Sequence, residues 1–242
     1  MKILALDTST RYMALGLLEG GRVYEYDLSV ERRLSALLGP AVKRVTDTLS
    51  WKMEDIDYFA CGIGPGSFTA VRIGMSLMKG LAWSLRKPMV GISTLDSIAK
   101  NAPAQGYIVP VMDAKRDLVY TAVYTVKGRE MRRNSPYLLV NKDGLFKILK
   151  GKISRSRKET VTFLGDGLEL LRNDIPLHAA GAVLLDKDYW YPKGHIIVEL
   201  ALERIRGKKL SDAFNLEPIY LYPKECQISR KMPSVSVKFV GV

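Results

Sequence analysis

The chain opens with a short apolar run ending in an acid, KILALD over Lys2–Asp7, which predicts a buried strand. Two further runs, Tyr12–Glu19 and Arg22–Leu28, meet at Gly20-Gly21. In the second of them Tyr24, Tyr26 and Leu28 alternate with Glu25 and Asp27, and such alternation beside a Gly-Gly pair predicts a β-hairpin. From about Glu31 to Leu49 the period changes. Leu34, Leu37, Leu38, Ala41, Val42, Val45 and Leu49 fall at helical spacing and predict one apolar stripe, with Gly39-Pro40 expected to kink the helix. Tyr58–Gly62 predicts another buried strand, and a long apolar helix runs from Ser67 to about Leu85. Met89–Ile92 predicts a fourth core strand, and Thr94 caps a helix to about Asn101.

The second half repeats this order. Tyr107–Asp113 is again a strand ending in an acid, and Leu118–Val126 with Arg129–Tyr137 predicts a second hairpin turning at Gly128. A helix from about Lys142 to Leu149, a strand at Val161–Leu164 and the turn Gly165-Asp166-Gly167 follow. A last helix, about His195 to Arg206, leads to the extended segment Leu216–Leu221. The repeated order predicts a duplicated α/β fold with lobes at 1–104 and 105–242, joined through the turn-rich link Ala102–Gly106.

Composition narrows the class. The 242 residues are 47% hydrophobic and 26% charged, enough for a core and inconsistent with wholesale disorder. Cys61 and Cys226 have no metal-type or CxxC spacing, and Cys61 sits in an apolar run. The first residues enter a strand directly, with no basic-then-apolar leader, and no apolar run approaches the roughly 18 residues of a membrane span. A reduced, cytosolic setting is the expectation. The formal charge is +12 and uneven. Residues 127–158 hold 11 Lys/Arg against two Asp/Glu, a patch able to attract nucleic-acid phosphates, with Arg155, Arg157 and Lys158 the candidate contacts; a solvated lysine-rich surface accounts for the same pattern.

Two segments carry possible phosphate chemistry. Asp7, Thr8 and Ser9 follow the first strand, where a carboxylate and hydroxyls hold a phosphate, a hydrated cation or simply their own turn. Gly64, Gly66 and Ser67 of GPGSFT stand between a strand and a helix start, the setting of an anion-binding turn. No lysine follows the second glycine, so this is not a Walker loop, and Ser67 is equally an N-cap. His178 and His195 are the only histidines and form no HxxxH or HExxH, which argues against a zinc or iron hydrolase. Asp7, Asp96 and Asp113 remain as a conceivable two-metal set.

On the helix after Ser67, apolar residues fill far more than one core-facing stripe. Val71, Met75, Met78 and Ala82 border Arg72 and Lys79 and are assigned to a partner interface, with Leu37, Leu38, Val42 and Val45 of the preceding helix extending it. Ile73, Leu77 and Leu81 are assigned to the sheet-facing core.

ILALDTST, GIGPGSFTAVRIGMSLMKGLAW, PMVGISTLDSIA, DAKRDLVYTAVY and LEPIYLYPKE together resemble the TsaB (YeaZ) family in order and spacing, from the first residues to about Gln227. The GPGSFT-x-x-RIG core is the specific part. The chain departs from the family's usual His-Ser-Glu at Arg33-Leu34-Ser35-Ala36, and from its usual glycine at Ala70. The resemblance implies an actin- and sugar-kinase-like (ASKHA) fold of two RNase H-like halves, with the last helix packed on the first lobe. It implies a non-catalytic relative of TsaD, which transfers threonylcarbamoyl to N6 of the adenosine beside the tRNA anticodon. It implies no certain cofactor, with a residual nucleotide at most. It implies pairing with itself or TsaD through the helices starting near Glu31 and Ser67, with a TsaE-type ATPase joining and tRNA met through the complex. A nucleotide-hydrolysing or glycoprotease-like enzyme of the same fold, and a stand-alone RNA-binding protein, are the competing readings.

Overall fold

The computed structural model describes residues 1–30, 33–152 and 160–222. Arg155, Arg157, Lys158 and Cys226 lie outside them. The chain divides into two compact units.

The first unit comprises Met1–Ser97 and Pro192–Ile219. It contains β1 (Lys2–Asp7), β2 (Tyr12–Glu19), β3 (Arg22–Ser29), α1 (Leu34–Thr48), β4 (Tyr58–Gly62), α2 (Phe68–Ser84), β5 (Met89–Ile92) and the start of α3 (Thr94–Lys100). The sheet order is β3-β2-β1-β4-β5, with β1, β4 and β5 parallel and the β1-β2-β3 meander antiparallel. The strands that read as continuous apolar runs are covered on both faces: Ile3 through Asp7 of β1 are all buried. β3 has a neighbour on one side only, and its alternating sequence leaves every second residue exposed.

The second unit comprises Ile98–Tyr191 with Tyr220–Tyr222 among the described residues. It contains β6 (Gly106–Lys115), β7 (Leu118–Thr121), β8 (Tyr124–Lys127), β9 (Glu130–Arg133), β10 (Leu138–Asn141), α4 (Lys142–Lys152), β11 (Val161–Leu164), the one-turn helices α5 (Leu168–Leu171) and α6 (Ile175–His178), and β12 (Val183–Leu184). Its main sheet order is β10-β7-β6-β11-β12. With the β8-β9 hairpin, which pairs with β6 off this path, left out of the count, both sheets read 3-2-1-4-5, the second strand antiparallel to the first and the third to the second. Two copies of this pattern make the α/β fold a pair of RNase H-like halves of the ASKHA type.

Two expectations need correction. The chain divides inside α3, after Ser97, rather than at Ala102–Gly106, and Thr94, expected to cap that helix, is its first residue and spends its hydroxyl on Asp7 and Ser9. The second hairpin is split. Ile108 opposes Tyr124 and Val111 opposes Thr121 in one register, but the ladder lapses between them, where Pro110 has no N–H to donate. The returning arm breaks at Ser135-Pro136, and Ser135 Oγ accepts the Val123 amide at 2.9 Å in place of a ladder carbonyl.

The last helix, α7 (Gly194–Arg206), belongs to the first unit and contacts β1, β2, β3, β4 and β5. Its buried stripe includes Ile197, Val198 and Ala201, none of which retains any exposure. His195 at its start meets Glu25 of β3, Nδ1 to Oε2 at 2.9 Å.

Candidate functional site: two sealed loops and an apolar helix pair

β1 delivers Asp7, Thr8 and Ser9 into the interior, where each is at most 2% exposed. The Ser9 amide donates to Asp7 Oδ1 at 2.7 Å, and Thr94 Oγ1 lies 2.8 Å from both Asp7 Oδ2 and Ser9 Oγ. Burial pushes the Asp7 carboxyl above the usual carboxylate range, against the hydrogen bonds from Ser9 and Thr94 that favour its charged form. Thr8 Oγ1 donates to the Ala70 carbonyl in the first turn of α2 at 2.7 Å. Its neighbour across the packing is Gly74, where a Cβ would collide with that hydroxyl.

The glycine loop closes over the same residues. The Ser67 amide donates to the Ser9 carbonyl at 2.9 Å, so the donor expected to meet an anion is held by the chain itself. Ser67 Oγ accepts from the Ala70 amide at 3.4 Å, the N-cap alternative. Gly66 lies so close to Ser9 that a Cβ would overlap its carbonyl oxygen. Asp7, Thr8, Ser9, Gly64, Gly66 and Ser67, read from sequence as phosphate-type loops, are therefore brought together and hold one another. These contacts are internal to the first unit, while Ser67, Phe68 and Thr69 at the start of α2 are exposed.

The helix faces need a second correction. Val71, Met75, Met78 and Ala82, expected at a partner interface, are 0–4% exposed and belong to the first unit's core. Leu38 and Val42 of α1 are likewise buried at 3%. The residues assigned to the core, Ile73, Leu77 and Leu81, are instead only partly buried, as are Leu37 and Val45 of α1. Methionine fills the irregular space over the sheet as readily as it fills an adaptable interface, so side-chain type did not separate the two arcs. Gly74 was the legible signal. It sits among Val71, Met75 and Met78 on the line that must approach Thr8, which marks that line as sheet-facing.

The partly exposed residues form a continuous outward face. Ala70, Ile73, Leu77 and Leu81 follow one another at helical spacing along α2, and α1 packs against α2 with Leu37 and Val45 adding to the apolar area. Arg72 stacks over Phe68 at 3.7 Å, a cationic edge to the start of α2. Among the described residues no three His, Cys, Asp or Glu side chains gather as a metal-ligand set. His178 stacks on Phe146 with centroids 4.2 Å apart. Burial pushes the Cys61 thiol far up, which leaves it an unreactive core residue. No described helix is long and apolar enough to cross a membrane.

Two RNase H-like halves, with the GPGSFT turn packed onto the DTS turn of the first strand, give the chain an ASKHA-type fold. The comparisons specify it. Residues 28–212 match the family model described as "TsaD: tRNA N6-adenosine threonylcarbamoyltransferase". The TsaB protein of Bacillus subtilis, described as "tRNA threonylcarbamoyladenosine biosynthesis protein TsaB", is 34% identical, over 70% of this chain and 73% of its own length. Its Haemophilus influenzae counterpart is 32% identical over 91% of this chain and 93% of its own. The solved structure of YeaZ from Pseudomonas aeruginosa superposes with a TM-score of 0.76 at 25% identity, covering 91% of this chain and 99% of that one. The chain belongs to the TsaB (YeaZ) family.

Proposed function

We propose that this chain acts in tRNA threonylcarbamoyladenosine biosynthesis as a non-catalytic subunit that binds and supports a TsaD-type transferase. The modified position is N6 of the adenosine beside the anticodon. The observation that carries the supporting role is the outward apolar face of α1 and α2, with Leu37, Val45, Ile73, Leu77 and Leu81 incompletely buried by the chain itself. An apolar face of this kind suits a protein cover. A second copy covers it when the chain is alone, and the transferase covers it in the assembly. A TsaE-type ATPase joins that assembly, and no resident cofactor is assigned to this chain.

The sealed loops support the same division of labour. Asp7 is buried with its carboxylate accepting from the Ser9 amide and the Thr94 hydroxyl, and the Ser67 amide donates to the Ser9 carbonyl, which supports a structural use of both turns. The test is co-purification of the tagged chain with the TsaD-type protein of its source cell, followed by assays of the isolated chain. Stable co-purification, with no ATP turnover and no modified tRNA from the chain alone, is the expected result. Robust turnover by the isolated chain, abolished by Asp7→Ala, overturns the reading.

A further inference from the structure

Beyond the end of α2 the first unit carries a surface cavity of about 730 Å³, within the size range of small-ligand sites. Its walls include Trp83, Arg86, Lys87, Pro88, Leu210 and Phe214. Trp83 and Phe214 are 131 positions apart in sequence but meet edge-to-face, with ring centroids 6.4 Å apart. Both rings remain open to solvent, Trp83 at 64% and Phe214 at 75%. At about 100° per residue, Trp83 lies roughly 160° around α2 from Leu81, so this site is separate from the apolar face shared with α1.

The charge near the rings is mostly positive. Arg86 and Lys87 line the cavity, and Lys208 and Lys209 immediately precede Leu210. Among the described residues Arg86, Lys208 and Lys209 form no ion pair, and Lys87 Nζ donates to a backbone carbonyl, that of Glu54, at 3.0 Å. The one acid in the lining, Asp212, stays ionised, its carboxyl held below the usual range by the amides that donate to it. Its Oδ1 accepts the Phe214 and Asn215 amides at 2.8 Å each, and its Oδ2 accepts Asn215 Nδ2 at 2.6 Å. Asp212 thus fixes the turn that presents Phe214. Unpaired cations around two exposed aromatic rings match single-stranded nucleic acid, whose bases stack on the rings while its phosphates meet the charges. An acidic protein surface would also meet the cations, but only nucleic acid brings planar bases for both exposed rings together with the phosphates.

We infer that the Trp83–Phe214 cavity binds a single-stranded RNA segment, with bases stacked on the two rings and phosphates on Arg86, Lys87, Lys208 and Lys209. The inference rests on the tRNA reading above only in identifying the RNA as part of the tRNA substrate. The protein carries its own probe. Trp51 and Trp190 are buried at 5% and 2%, so a ligand at the surface changes chiefly the emission of Trp83.

The experiment titrates a twelve-nucleotide oligouridylate, and separately unmodified tRNA, into the full chain while tryptophan emission is followed across a salt series. Saturable quenching by the oligonucleotide is expected, with affinity falling as salt rises by roughly 0.7 log unit per log unit of salt for each phosphate neutralised. The double variant R86E/K87E should weaken binding at least 10-fold and lower that slope by about 1.4, which is two phosphates' worth. W83L and F214A change exposed side chains, and each should cost about 10-fold or more by anisotropy of labelled oligonucleotide, in keeping with loss of base stacking. Absence of saturable quenching overturns the inference, as does an unchanged slope in R86E/K87E. If W83L keeps full oligonucleotide affinity but loses the TsaD-type partner, the cavity is a protein-docking site and the RNA assignment is wrong. Failure of the chain to support tRNA modification, with oligonucleotide binding intact, counts against the proposed function and leaves the RNA site standing.

Discussion

Gly194, the first residue of α7, lies directly against Gly16 in the middle of β2, and a Cβ on either would overlap the other's surroundings. On Gly16 it would strike the Gly194 carbonyl, and on Gly194 the Leu15 carbonyl. This backbone-to-backbone contact lets a helix 178 positions downstream settle flush on the first sheet. The colliding atoms are main-chain and do not yield as a flexible side chain would. Gly16→Ala and Gly194→Ala should each destabilise the protein by about 1–3 kcal/mol or more, the usual cost of overpacking. Gly80→Ala, at a helical position with nothing within 4 Å, should be neutral or stabilise by up to about 1 kcal/mol. Urea unfolding of the three variants checks this, and an unaltered midpoint for Gly16→Ala would show the contact to be looser than described.

Asp7 gives a pH-dependent expectation. Burial raises its carboxyl above the ordinary range, so the folded state holds the proton more tightly than the unfolded chain does. Its contribution to stability therefore declines as pH rises from about 4 to the raised native value, and above that the full cost of the buried charge is present. Asp7→Asn removes the charge while keeping an acceptor for the Ser9 amide. Its stability should vary less with pH across that window and should equal or exceed the parent's at pH 7. Asp7→Ala, which strips the Ser9 amide and Thr94 hydroxyl of their partner, should lose about 1–3 kcal/mol. Thermal melts from pH 4 to pH 8 distinguish the cases, and an Asn variant as weak as the Ala variant at every pH would contradict them.

The two faces of α2 separate folding from assembly. Met78 is fully buried in the first unit's core, so Met78→Arg should unfold that unit. Leu77 lies on the partly exposed arc, so Leu77→Arg should leave a folded chain that neither self-associates nor captures the TsaD-type partner. Circular dichroism with size-exclusion chromatography reads both. A folded, monomeric Met78→Arg beside an unfolded Leu77→Arg would return the faces to the assignment that side-chain type first favoured.

The fold was largely legible because its strands and helices carry clean periods. β1, β2, β4, β5 and β11 lie where the apolar runs begin and end, and α2 begins where Ser67 can cap it. Local pattern failed where distant atoms decide. Pro110 interrupts a ladder whose partner strand gives no sign of it, and Ser135-Pro136 splits an arm that reads as continuous. The candidate site was half legible. Proximity of the DTS and GPGSFT turns follows from their places at neighbouring strand ends. Their mutual closure depends on the Ser67-to-Ser9 and Thr94-to-Asp7 hydrogen bonds, and no spacing announces either one. The Trp83–Phe214 pair is a tertiary contact of the same kind.

The supporting role is tested most directly by reconstituted tRNA modification with a TsaD-type transferase, its ATPase partner, threonylcarbamoyl-adenylate and unmodified tRNA. The parent chain or Leu77→Arg is added in turn, and threonylcarbamoyladenosine is measured by nucleoside mass spectrometry. The expected result is modification that depends on the parent chain, is absent with the chain alone, and falls at least 10-fold with the folded Leu77→Arg variant. Full modification without this chain, or undiminished modification with Leu77→Arg, would contradict a subunit that works through the outward face of α1 and α2.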